Sequence, residues 1–155
     1  MPAMLIGAVA AVVFVCDLLT KRWVSTHMRP GESIRVIPGL FSITYLRNRG
    51  AAFGLLQGQT LLFVVITLVV IALILTYGRR AARSVPLLGV AFGLQLGGAL
   101  GNLLDRLLYA RVIDFLQVRG FPFIFNVADA GITLGGALFA WVILREPAPQ
   151  EPRQR

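Results

Sequence analysis

Four long apolar stretches leave this chain few folds to adopt. They run from Ala3 to Leu19, Thr60 to Tyr77, Val85 to Leu104 and about Phe125 to Leu144. A helix crosses the hydrocarbon of a bilayer with about 17–25 mostly apolar residues. The second stretch, "TLLFVVITLVVIALILTY", has no charge, whereas Asn126 and Asp129 interrupt the fourth. With 57% hydrophobic and 14% charged residues, the composition excludes an ordinary soluble domain. The expected fold is an all-α membrane protein with four transmembrane helices and a small β element.

The first stretch is read as a retained helix. No Lys or Arg precedes Lys21, so the basic start of a cleaved signal peptide is missing. Val15 is too large for the small residue that a lipoprotein cleavage site needs before its cysteine. Cys16, the one cysteine, is then expected to be a small buried apolar residue and can form no internal disulfide.

A net charge of +8 invites a nucleic-acid reading, but basic residues flanking spans meet anionic headgroups. No nucleic-acid partner is expected, only membrane lipids. Arg79, Arg80 and Arg83 are read as a tight cytoplasmic loop, which puts both termini on that side. The raw count runs the other way, with nine Lys/Arg outside against six inside. The short loop is weighted more because the long segment from Lys21 to Gln59 is expected to fold.

One domain is expected over residues 1–145. A first external segment covers about 21–59, a second of short strand and turn about 105–125, and residues 146–155 form a disordered cytoplasmic tail. "SIRVIPGLFSITYLRN" has the β-branched and aromatic content of strands around a Pro38-Gly39 turn. A short antiparallel sheet at the outer membrane surface is therefore expected. Val85 to Leu104 is rich in glycine, which suits close packing of helices in lipid. There is no internal repeat.

The uncommon polar residues gather at one depth. At about 1.5 Å per residue, Asp17 lies about 24 Å along the first span and Asp129 about 24 Å up the fourth. Asn102 and Asp105 lie about 27 and 32 Å up the third. Lys21, Asn48, Asp114 and Asn126 fall on the same side by topology. Asp17 and Lys21 stand at the i, i+4 spacing of an ion pair. Arg106 can neutralise a neighbouring carboxylate, and Asp129 can cap the fourth helix. Asp114 and Asp129 are harder to explain structurally, because an unpaired acid at that depth is costly.

The inventory narrows the chemistry. One cysteine and one histidine, His27, cannot build a Cys/His zinc cluster. A Ser25–Lys21 dyad has the spacing but needs a buried lysine. Two carboxylates in a poorly solvated site cannot both ionise easily, so one serves as base and the other as acid. Such a pair activates water against an amide with no metal or cofactor. An ion-coupled transporter and a structural membrane protein are the other classes open to these residues.

"DLLTK", "NRGAAFG", "GNLLDR", "VIDF" and "FNVADAGI" occur in the order found in signal peptidase II, and the chain resembles that family from the first span to the fourth. The resemblance implies an aspartic endopeptidase of the bacterial inner membrane. It would cut diacylglyceryl-modified prolipoproteins on the N-terminal side of the lipidated cysteine, near the outer face. It implies Asp114 and Asp129 as catalytic dyad, and Asn48, Asn102, Arg106 and Asn126 as substrate-binding residues. Asp17, Lys21, Gly50 and Asp105 would support them. A dyad supplied by one chain makes a monomer sufficient. Ala110 and Arg111 depart from the pattern where such proteins commonly carry a glycine, so that turn is expected to differ.

Overall fold

The computed structural model describes residues 2–50 and 58–145. Helix α1 (Pro2–His27) leads into strands β1 (Ser33–Ile37) and β2 (Phe41–Asn48). Helices α2 (Thr60–Ser84) and α3 (Pro86–Tyr109) follow, then strand β3 (Val112–Val118) and helix α4 (Val127–Arg145). All four helices are long and apolar enough to cross a membrane. Ala51–Gly54 of the "NRGAAFG" motif and the expected disordered tail lie outside the described residues.

Two helices run further than the apolar stretches suggested. Helix α1 continues past Lys21, and α3 continues past Asp105 to Tyr109. The reason is charge pairing: Lys21 is buried inside the bundle instead of sitting among headgroups. The basic cluster is also relocated. Arg79, Arg80 and Arg83 lie in the last turns of α2, where cations complement the helix dipole. The joint to α3 is Val85 alone, extended at φ −134° and ψ 101°. Pro86 forces that conformation on its predecessor and then occupies the first turn of α3.

Helix α3 packs against each of the other three. Its glycine content makes this possible, as expected. A Cβ on Gly98 would fall 2.3 Å from the Ala128 carbonyl oxygen, so the α3 and α4 backbones touch there. Cys16 is the exception to expectation: it is exposed on the outer face of α1.

The sheet is antiparallel, in the order β1-β2-β3. Its first hairpin turns at Pro38-Gly39, with Gly39 at φ +74°. The third strand falls within residues 105–125, where a short strand and turn were expected, and it carries Asp114, which the sequence placed in the loop joining the third and fourth spans. It pairs with Leu46, just past a register shift between Ile43 and Leu46, and such bulges re-aim side chains. Ile113 and Phe115 pack with Val24, Met28 and Tyr45. Successive residues of a strand point to opposite faces, so Asp114 faces away from that apolar cluster.

The turn before β3 is strained at Ala110. Ala110 ends α3 in the left-handed region at φ 54° and ψ 25°, its N–H donating to the Arg106 carbonyl. An L-residue with a Cβ costs about 1–2 kcal/mol there. Ala110→Gly is accordingly expected to stabilise the protein by about 1 kcal/mol. A thermal midpoint in detergent that falls in this variant would contradict the strain.

Candidate active site

Where the helix bundle meets the sheet, the core turns polar. Asn126, Asp17 and Asp114 are, with Val24, the largest fully buried side chains. The centre of this layer is the Lys21 ammonium. It lies 2.7 Å from Asp17 Oδ2 and 3.1 Å from Asp105 Oδ2, and donates to Asn102 Oδ1 at 3.0 Å. One hydrogen bond and two ion pairs thus compensate the buried ammonium, although Asp17 Oδ2, close as it is, meets no donor in hydrogen-bond geometry. Ser25 donates instead to the Arg22 carbonyl on an exposed face, and no Ser–Lys dyad forms.

The two aspartates of this cluster also fix the chain around them. Asp105 Oδ2 accepts from the Ile113 N–H at 3.1 Å and so anchors the start of β3. Asp17 Oδ1 accepts from the Ala128 N–H at 2.8 Å, at the first turn of α4. A Cβ on Gly101 would fall 2.4 Å from Asp17 Oδ2, so only glycine lets the carboxylate cross between helices.

The capping of α4 differs from expectation. Asn126 takes the N-cap, its Oδ1 accepting from the Asp129 N–H at 2.8 Å. An N-cap needs one acceptor of this kind, and with Asn126 and Asp17 both serving, the Asp129 carboxylate is released from that task. Asp129 Oδ1 instead accepts from Asn102 Nδ2 at 2.7 Å.

Asp114 is held from two sides. Asn48 Nδ2 donates to its Oδ2 at 2.9 Å and Asn126 Nδ2 to its Oδ1 at 2.8 Å. Asn48 is itself fixed by the Gly50 N–H, which donates to its Oδ1 at 2.9 Å. Asn126 Nδ2 also lies 3.3 Å from Asn102 Oδ1, linking the surroundings of the two carboxyls. Burial, and after it the negative charge of Asp129, push Asp114 from the usual carboxylate range up to about 7. The Asn48 and Asn126 donors oppose that rise without cancelling it.

Both carboxyls open into one cavity of about 450 Å³. Its walls come from α2 (Phe63, Ile66, Thr67), α3 (Asn102, Arg106) and α4 (Asp129, Ile132). Arg106 lines it too, its guanidinium 5.0 Å from the Phe63 ring centre and 3.5 Å from the Asn102 carbonyl. It makes no direct ion pair among the described residues, but its charge acts on Asp129, Asp114 and Asp105 without contact, as the sequence suggested for a neighbouring carboxylate.

Every site residue named from the sequence falls in this layer. Sequence reasoning missed that Asn126 is the cap and that β3 carries Asp114. It also missed Gln95 and Thr67 deeper in the cavity. Gln95 was findable, because it stands seven residues before Asn102 and so shares its helix face.

The model of the family described as signal peptidase (SPase) II matches residues 9–145. The chain is 43% identical to the lipoprotein signal peptidase of Pelotomaculum thermopropionicum over 152 residues, covering 98% of this chain and 99% of that protein. It is 47% identical to the lipoprotein signal peptidase of Geobacillus kaustophilus over 131 residues, 82% and 84% of the two chains. A solved structure described as a bacterial membrane enzyme superposes with a TM-score of 0.87 at 34% identity, covering 96% of this chain and 92% of that one.

Proposed function

Because the chain belongs to the signal peptidase II family of aspartic peptidases, we propose that it releases signal peptides from prolipoproteins by water attack at the Asp114–Asp129 pair. One observation carries this reading. Two carboxyls from separate elements open into a single cavity, tied together by Asn102 and Asn126 and coupled by charge.

One member of the pair holds a proton while the other is ionised. The ionised carboxylate takes a proton from water as the water oxygen attacks the scissile carbonyl carbon. The protonated partner donates to the carbonyl oxygen, giving a neutral tetrahedral intermediate. Collapse breaks the C–N bond, and a proton from the dyad passes to the departing amine. Asn48, Asn102 and Asn126 hold the carboxyls in place, and Arg106 offers donors to a substrate carbonyl. The cut falls on the N-terminal side of a diacylglyceryl-modified cysteine.

The site sits near the outer face of the bacterial inner membrane, with both chain termini in the cytoplasm. The short, acid-free cluster Arg79, Arg80 and Arg83 at the end of α2 supports this orientation. At that depth the acyl chains of the substrate stay in lipid while its scissile amide reaches the carboxyls. One chain supplies the whole dyad, so the working unit is a monomer.

Each acyl methylene buried adds about 0.8 kcal/mol of binding. A diacylglyceryl-modified precursor is therefore expected to be cut with at least about tenfold higher kcat/KM than the same unmodified peptide, in matched detergent. Equal rates on the two forms would remove the interfacial part of the reading.

A further inference from the structure

The cavity continues well below the carboxyls, and its deep end is polar where lipid-level walls are usually apolar. Gln95 of α3, Thr67 of α2 and Thr133 of α4 line it there, beside Val70 and Ile132. Gln95 stands two helical turns below Asn102 on the same face, a drop of about 10 Å. Its stem packs where α4 carries Gly135, whose absent Cβ would fall 2.8 Å from Gln95 Cγ.

The Gln95 amide is poorly used by the protein itself. Its Nε2 lies 3.5 Å from the Ala91 carbonyl, well beyond the usual 2.9–3.0 Å of an N–H···O bond. Its Oε1 accepts no hydrogen bond among the described residues. Thr67 differs, since its hydroxyl already donates to the Phe63 carbonyl at 2.7 Å. A half-buried amide so little used by its own chain keeps its donors and acceptor available to a second chain in the cavity.

We propose that Gln95 pairs with the substrate backbone about three residues N-terminal to the scissile bond, and that it sets the register of the signal peptide in the cavity. The inference rests on the proposed function, which directs the signal peptide down this cavity toward the cytoplasm. A scissile carbonyl locked in a helical hydrogen bond is closed to attack, so the end of the signal peptide must unwind. Its freed N–H and C=O groups then lie where no water satisfies them. Extended chain rises about 3.3 Å per residue, so a drop of about 10 Å corresponds to three residues. A primary amide has both donors and an acceptor, which suits the paired N–H and C=O of an extended residue.

Disulfide capture tests the register. Gln95→Cys is introduced into the full chain with Cys16→Ser and Asp129→Asn, which leaves a single thiol and prevents cleavage. Lipidated precursor peptides carry one added cysteine at each of the six positions before the cut. Cross-linking should peak at the third position and be weak at the first and sixth. A flat profile overturns the register. So does capture only by a thiol placed at the end of an acyl chain, which would make this end a lipid pocket.

Kinetics supply a second arm. Gln95→Leu should lower kcat/KM by about three- to tenfold on the native precursor. On a precursor whose backbone N–H at the third position is replaced by an ester oxygen, the same change should cost less. An equal loss on both precursors contradicts the pairing. The proposed function fails separately, through retained cleavage after Asp114→Asn or Asp129→Asn, whatever the cross-linking shows.

Discussion

Asparagine at position 114, or at position 129, is expected to lower turnover of a lipidated precursor by about 10²- to 10⁴-fold while the protein stays folded and membrane-inserted. Asparagine keeps the shape of the side chain and removes both its negative charge and its acidic proton. At position 114 the change disturbs one of two hydrogen bonds, from Asn48 or Asn126, at a cost of about 1 kcal/mol. That loss is offset at higher pH. The folded protein holds Asp114 up to about 7, whereas an unfolded chain releases that proton near 4. A raised carboxyl contributes stability that is fully present below about pH 4 and lost as pH rises through about 7. The neutral asparagine is free of this dependence, so the thermal stability of Asp114→Asn should gain on the parent as pH rises from about 4 to about 7. Retained turnover in either variant would take that residue out of the mechanism.

Loss of Lys21 should do the most damage to the fold. Its ammonium neutralises Asp17 and Asp105, both buried, and holds the Asn102 amide oxygen. Removing one partner from a buried ion cluster typically costs about 3–5 kcal/mol, because the remaining charges stay buried without compensation. Lys21→Met should therefore lower the unfolding midpoint in detergent by about 10 °C. The triple variant Asp17→Asn, Lys21→Met, Asp105→Asn strands no charge and should recover much of that stability. A Lys21→Met midpoint equal to the parent's would show that water or lipid headgroups reach the cluster after all.

The legible part of this protein was its burial pattern. Apolar length gave the four helices, and helix rise alone brought Asp17, Asn102, Asp105 and Asp129 to one depth, because both depend only on local geometry. The glycines of α3 were legible as a packing face for the same reason. Less legible were the features that depend on partners distant in sequence. Lys21 looks like an interfacial lysine until Asp105 and Asn102 of α3 are brought beside it. Asp129 looks like a helix cap until Asn126 and Asp17 are seen to fill that role. A short strand was expected within residues 105–125, but not that "VIDFLQV" would be that strand, pair with β2 and carry Asp114, because its pairing partner lies far away in sequence. Ala110 carries a partial signal: an alanine stands where such proteins commonly have a glycine, and only the backbone shows that the turn there is left-handed.

Whether the two carboxyls behave as one site is open to a direct spectroscopic measurement. The protonated carboxyl band of Asp114 can be followed by infrared difference spectroscopy from pH 4 to 9, assigned by its loss in Asp114→Asn. Its midpoint should lie near 7 in the parent protein and move down when Asp129 is replaced by asparagine, because the neighbouring negative charge is then gone. A midpoint in the ordinary carboxylate range, or one that Asp129→Asn leaves unmoved, would mean that the two groups titrate independently and share no proton.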